Sequence, residues 1–150
     1  MTDRYAVIGN PIHHSKSPLI HSEFARETQQ DISYEALLSP LDQFAQTVRS
    51  FQNQGGKGLN VTLPFKVEAF RLATQLTERA QLAQAVNTLK FCDNSKILGD
   101  NTDGAGLVHD IQINQAVSIR NKKILLMGAG GAARGVILPL LMLEPNQLTI

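Results

Sequence analysis

The chain has 150 residues, 43% of them hydrophobic, with 14 basic against 13 acidic side chains for a net charge of +1. That is enough apolar material for a packed core, and the near balance of charge supplies no field to hold nucleic acid or an anionic membrane, so a small-molecule partner is expected. One cysteine (Cys92), no long apolar stretch behind Met1-Thr2-Asp3-Arg4, and a longest apolar run (Val136 to Leu143) broken by Pro139 lead to the expectation of a cytoplasmic protein without internal disulfide, signal peptide or transmembrane segment.

Tyr5-Ala6-Val7-Ile8-Gly9, ended by Gly-Asn-Pro, predicts a buried strand opening into a loop. Ser17-Pro18 reads as an N-cap followed by proline at the first helical position, and Leu19, Ile20 and Phe24 recur at helical spacing to about Thr28. Ser33 to Leu38 predicts a strand, Leu41 to Gln54 an amphipathic helix, and Gly58-Leu59-Asn60-Val61 a third strand after a Gly-Gly turn. Such alternation predicts βαβ units and a mixed, mostly parallel α/β sheet. Phe65 to Ala85 is helical in pattern, broken into two helices near Gln75 to Thr77. Asn87 to Cys92 and Ile97 to Gly99 flank the turn-like Asp93-Asn94-Ser95 and predict a hairpin, after which a helix starts at Thr102 or Asp103.

The polar, irregular segment Gln112 to Asn121 is where a domain boundary is expected, giving units 1–112 and 113–150. Beyond it Lys123 to Met127 predicts a strand, Gly128 to Gly131 a glycine turn, Ala132 to Leu143 a helix with Pro139 as a local conflict, and Gln147 to Ile150 the opening of another strand. Two strands and one helix make only the start of a Rossmann dinucleotide-binding domain, and the chain reads as a truncated form.

Gly128-Ala129-Gly130-Gly131-Ala132-Ala133 departs from G-x-G-x-x-G only at its last position, where alanine is accepted. Its place between a strand and a helix matters more than the letters. Glycine at 128 allows a tight turn, glycine at 130 lets backbone approach a pyrophosphate, and the helix N-terminus offers free N–H groups. Arg134 adds a cation nearby. A turn that merely needs small residues reads the same way. The residue that selects NAD or NADP lies about 20 positions on, past Ile150.

Lys66 is the candidate catalyst. With Pro64 starting a helix it would stand in the first turn, where the positive end of the macrodipole disfavours an ammonium and favours proton exchange near neutral pH. Read alone, it is more readily an ordinary solvated lysine. Asp103 reads both as a helix N-cap and as a carboxylate able to orient Lys66 or accept a bond from a hydroxyl. Ser15, Ser17, Thr62 and Asn87 are short neutral hydrogen-bonding residues at or just after strand ends, where open α/β sheets bind ligands, and such a set suits a polyhydroxylated acid. His13, His14, His21 and His109 have no partner at a metal-ligand or nucleophile spacing, and Cys92 reads as packing.

Ser15-Lys16-Ser17-Pro18, Asn60-Val61-Thr62-Leu63-Pro64-Phe65-Lys66, Ala85-Val86-Asn87-Thr88, Asp100-Asn101-Thr102-Asp103-Gly104 and the glycine turn occur in one order that resembles the amino-terminal part of the shikimate dehydrogenase family. The resemblance implies NADP-dependent reduction of 3-dehydroshikimate to shikimate, on the route through chorismate to aromatic amino acids. It implies Ser15 and Ser17 as contacts of the substrate carboxylate, Thr62 and Asn87 as further substrate contacts, and Lys66 and Asp103 as substrate-binding catalytic residues. For the NADP pyrophosphate it implies Gly128, Ala129, Gly130, Gly131 and Ala132. Gln84 stands where the family often has glycine. The expectations include a homodimer and substrate binding with little turnover by these 150 residues, against the alternatives of a quinate/shikimate dehydrogenase using NAD and a noncatalytic shikimate-binding domain.

Overall fold

The computed structural model describes residues 2–150. Six strands form one sheet: β1 (Asp3–Gly9), β2 (Ile32–Leu38), β3 (Gly56–Val61), β4 (Gln75–Leu76), β5 (Thr88–Phe91) and β6 (Ile97–Asp100), in the order β2-β1-β3-β5-β6-β4. β1 pairs parallel with β2 and β3, and β4 parallel with β6, while β5 runs antiparallel to both neighbours. The sheet is therefore mixed and mostly parallel, as the alternation of strand and helix patterns predicts. Ala6, Val7 and Ile8 are all buried, which is what a central strand covered on both faces requires of a continuous apolar run.

The helices are α1 (Ser17–Thr28), α2 (Phe44–Asn53), α3 (Lys66–Leu72), α4 (Glu78–Ala83) and α5 (Asp103–His109), the last continuing as one π-helical segment, Asp110–Asn114. α2 turns Phe44, Val48 and Phe51 onto one face of the sheet against Ala6, Ile8, Leu59, Val61 and Leu89, and the Phe44 and Phe65 rings stack 4.8 Å apart. The expected break between two helices is β4, whose two residues pair with Leu98 and Gly99 of the hairpin. After residue 121 come β7 (Lys123–Leu125), α6 (Gly131–Leu141) and β8 (Gln147–Thr149), with β7 and β8 parallel. A second apolar cluster of Ile119, Val136 and Leu140 gathers here, with Val108 and Ile111 joining it from the segment before.

Three local departures have physical causes. Ser17 is not an N-cap: it is the first helical residue, Lys16 occupies the cap position, and the Ser17 N–H donates to the Ser15 hydroxyl at 3.3 Å. Pro64 does not open a helix either, since α3 begins at Lys66 with Phe65 preceding it. Gln84 caps the end of α4 with φ +50°, in the left-handed region that glycine enters without steric cost. Pro139 does lie inside α6, and its ring fills the space that a side chain at Gly104 would need: a Cβ on Gly104 would stand 2.3 Å from Pro139 Cγ and 2.4 Å from the Gly135 carbonyl oxygen.

Candidate active site

The loops that follow β1 and β3 are tied together. Thr62 N–H donates to the Ile8 carbonyl at 3.0 Å, Asn10 N–H donates to the Leu63 carbonyl at 3.0 Å, and the Asn10 side-chain amide donates to the Ser39 carbonyl at 2.8 Å. Gly9 permits this closeness, since a Cβ there would stand 2.6 Å from the Thr62 methyl. As a result Ser15, Ser17 and Thr62 line one cavity of about 250 Å³ beyond the carboxyl ends of β1 and β3, with His14 at its wall. Three neutral hydroxyls in one concavity recognise oxygens by geometry rather than by charge.

Lys66, Asn87 and Asp103, distant in sequence, meet beside it. Lys66 Nζ lies 2.5 Å from Asp103 Oδ2, and the Asn87 side-chain amide donates to Asp103 Oδ1 at 2.9 Å and to the Thr102 hydroxyl at 2.8 Å. The lysine and aspartate side chains are 13% and 22% exposed, so the pair is mostly withdrawn from water yet reachable from the cleft. Backbone holds the three in place. Val86 N–H donates to the Lys66 carbonyl at 2.8 Å, and Asn87 N–H donates to the Asp100 carbonyl at 2.9 Å. The full negative charge of Asp103 and the half-charge at the start of α3 act on the same ammonium in opposite senses, and the full charge touches it.

Asn101 supports this cluster, a residue to which the sequence reading gives no role of its own. It is 3% exposed; its Nδ2 donates to the Ala85 carbonyl at 3.0 Å, and its Oδ1 accepts from Asp103 N–H at 3.1 Å. One buried amide thereby couples the segment carrying Asn87 to the backbone carrying Asp103. The only hint in the chain is an asparagine two residues before an aspartate at a helix start, a common turn pattern. Next to it, Asp100 accepts from Arg79 Nε and Nη2, the Thr77 hydroxyl and Asn101 N–H; the Arg79 bonds, foremost among these, hold its carboxyl well below the usual range, at about 2.

The glycine turn approaches from the other side. Gly128 has φ +113°, Gly130 is extended and precedes α6, and a Cβ on either would meet no atom within 4 Å. Exposed Ala129 and Ala132 flank them. Open space over backbone N–H groups at the start of an eleven-residue helix fits a pyrophosphate. Gly131 is different: a Cβ there would stand 2.8 Å from Lys66 Cβ, so the turn rests directly on the stem of the lysine. Arg134 lines a separate groove of about 600 Å³ with Arg79, Leu82, Val108 and Leu138.

His13 and His14 stand ring to ring at 3.5 Å in the loop, and His21 stacks on Tyr34. Among the described residues no cluster of three or more His, Cys, Asp or Glu could hold a metal ion, and no helix is long and apolar enough to cross a membrane. Cys92 is a free, half-buried thiol.

Residues 7–89 match the family model described as the shikimate dehydrogenase substrate binding domain. The chain is 66% identical over 150 residues to a protein of Herminiimonas arsenicoxydans named shikimate dehydrogenase (NADP(+)), covering all of this chain and 55% of that one. Shikimate dehydrogenase from Aquifex aeolicus superposes with a TM-score of 0.90 at 34% identity, covering 98% of this chain and 55% of its own. The Thermus thermophilus enzyme, solved with shikimate bound, gives 0.89 at 29% identity over 98% of this chain and 56% of its own. The chain thus spans about half the length of the curated relatives it matches.

Proposed function

The chain belongs to the shikimate dehydrogenase family, and from that membership we propose that it is the substrate-binding and catalytic part of an enzyme that interconverts shikimate and 3-dehydroshikimate with NADP. The observation that carries the proposal is the contact of Lys66, Asp103 and Asn87 beside the hydroxyl-lined cavity of Ser15, Ser17 and Thr62. The serines take the substrate carboxylate, their hydroxyls donating to it, and Thr62 and Asn87 read ring hydroxyls. NADP supplies the hydride acceptor or donor. Lys66 Nζ exchanges the proton of the reacting oxygen: it gives the proton up when the carbonyl is reduced and takes it back when the alcohol is oxidised. Asp103 keeps the ammonium aimed at that oxygen, and Asn87 in turn holds the carboxylate.

On this reading residues 1–112 form the substrate unit and 113–150 the opening β-α-β of a nucleotide unit. Gly128, Ala129, Gly130, Gly131 and Ala132 hold the pyrophosphate, with the open backbone at 128 and 130 as support. Arg134, two residues past Ala132, adds a cation for the nucleotide phosphates while also lining the groove with Arg79, Leu82, Val108 and Leu138. The lone Cys92 suits a reducing cytoplasm.

The test is shikimate oxidation by this sequence extended to the full length of its relatives, beside the 150-residue chain alone. The long form is expected to reduce NADP⁺, and a Lys66→Ala substitution to slow it by about 10²–10⁴. The short form is expected to bind shikimate without turnover. Undiminished turnover in a folded Lys66→Ala protein overturns the assignment of the catalyst, and robust NADP⁺ reduction by the short form overturns the division of labour. Faster turnover with quinate and NAD⁺ would move the protein to the quinate branch.

A further inference from the structure

Tyr34 stands near the middle of β2, where side chains of α1 and β3 meet it. Its Oη donates to Asn60 Oδ1 at 2.6 Å, and the Ser17 side chain of α1 lies near the same oxygen. One turn further along α1, the His21 imidazole lies on the phenol face with ring centroids 4.0 Å apart and an interplanar angle of 7°. α1 has no fully buried residue, so this stack is a large part of what seats its first turns on the sheet.

From Asn60 the bonds continue toward the proposed catalytic pair. Asn60 Nδ2 reaches the Thr88 hydroxyl at 3.4 Å, Thr88 Oγ1 donates to Asn87 Oδ1 at 2.9 Å, and Asn87 Nδ2 donates to Asp103 Oδ1 at 2.9 Å. Every donor in the series Tyr34, Asn60, Thr88, Asn87 points the same way, ending on the carboxylate that faces Lys66. An amide flip at Asn60 would set its nitrogen against the phenol hydrogen, so the phenol selects one orientation of Asn60; Thr88 and the Thr102 N–H, at 3.1 Å, select one orientation of Asn87. Burial pushes the phenol up to about 12, so the group remains a donor throughout the range in which enzymes work.

We infer that Tyr34 is a positioning residue of this site: through Asn60 and Thr88 it holds Asn87 in the orientation that grips Asp103. The inference rests on the proposed shikimate site. A ligand carboxylate held at Ser15 and Ser17 leaves the bond from Tyr34 to Asn60 untouched, so the series persists in the complex.

The test is the Tyr34→Phe protein, which keeps the ring and its stack on His21 and removes only the oxygen. In the ligand-free 150-residue chain the side-chain amide resonances of Asn60 and Asn87 are expected to shift and broaden, while backbone resonances of α2, across the sheet, stay in place. Shikimate affinity is expected to fall roughly threefold to tenfold, the range a single net hydrogen bond commands. In the full-length form the loss should appear in both KM for shikimate and kcat, with KM for NADP⁺ unchanged. A Thr88→Val protein should reproduce the Asn87 shift without moving Asn60 to the same degree. Unmoved Asn87 amide resonances, or shikimate affinity within twofold of wild type, would overturn the inference and leave the shikimate reading standing. Absence of shikimate binding by the unsubstituted full-length protein would overturn that reading and the inference with it.

Discussion

Removing the side chain of Asn101 tests how much of the site's order rests on one buried amide. In Asn101→Ala the Ala85 carbonyl loses the donor that reaches it at 3.0 Å, and Asp103 N–H loses its acceptor at 3.1 Å. Ala85 is fully buried, so its carbonyl has no water to turn to, and a stranded buried acceptor costs about 1–3 kcal/mol. Asp103 N–H opens a helix in a half-exposed cleft and can be rehydrated, so its loss adds only about 1 kcal/mol. The sum is about 2–4 kcal/mol, and with a urea slope of roughly 2 kcal/mol/M the unfolding midpoint should fall by about 1–2 M. Equilibrium urea denaturation of the 150-residue chain, followed by circular dichroism, measures it. A midpoint within about 0.3 M of wild type would refute the reasoning, since it would mean that the Ala85 carbonyl finds another partner at no cost.

Gly131→Ala should injure the site more than the fold, because the added Cβ would stand 2.8 Å from Lys66 Cβ; turnover of the full-length form should drop while its melting temperature moves little, and an unchanged kcat would contradict the contact. Gln84→Gly relieves a left-handed residue at φ +50° and should stabilise by up to ~1 kcal/mol, or a few degrees in a thermal melt, with a lowered melting temperature as the contrary result. Asp100 is depressed from 3.8 to about 2, so its contribution is fully present above pH 3.8 and is lost as pH falls through about 2. Arg79 is half exposed, which limits that contribution to on the order of 1 kcal/mol. Arg79→Ala should therefore flatten the decline of stability across that acid window, and an unaltered acid profile would count against it.

Much of the sheet was legible because its residues state their environment locally. Tyr5 to Ile8 is apolar without alternation, as a strand buried on both faces must be, and Asp93-Asn94-Ser95 marks the hairpin between β5 and β6. The helix starts were harder. Ser17-Pro18 looks like a cap and a first turn, but the chain places the hydroxyl of Ser15 under the Ser17 N–H instead, shifting the start by one residue. Pro64 looks like a helix opener, yet the bond from Phe65 N–H to the Thr62 carbonyl closes a separate turn before α3 begins. β4 was invisible because two residues in a helical pattern become a strand only when Gly99 leaves room for Leu76 beside it.

The site divides in the same way. Glycines between a strand and a helix, and hydroxyls after strand ends, can be read from pattern alone. The contact between Lys66 and Asp103 cannot, because it depends on the β5–β6 hairpin carrying a residue 37 positions away back across the sheet to α3. Tyr34 carries no local mark at all, and Asn101 only a common turn pattern ahead of Asp103. Their importance lies in what surrounds them, and that is set by packing rather than by neighbours in the chain.

The most direct measurement is a titration of the isotopically labelled 150-residue chain with shikimate, followed by NMR. The account predicts saturable shifts centred on Ser15, Ser17, Thr62, Lys66, Asn87 and Asp103, with the α2 resonances of Phe44 to Asn53 unmoved. A well-dispersed spectrum in which shikimate moves none of these residues, or moves instead the groove around Leu82 and Leu138, would contradict it.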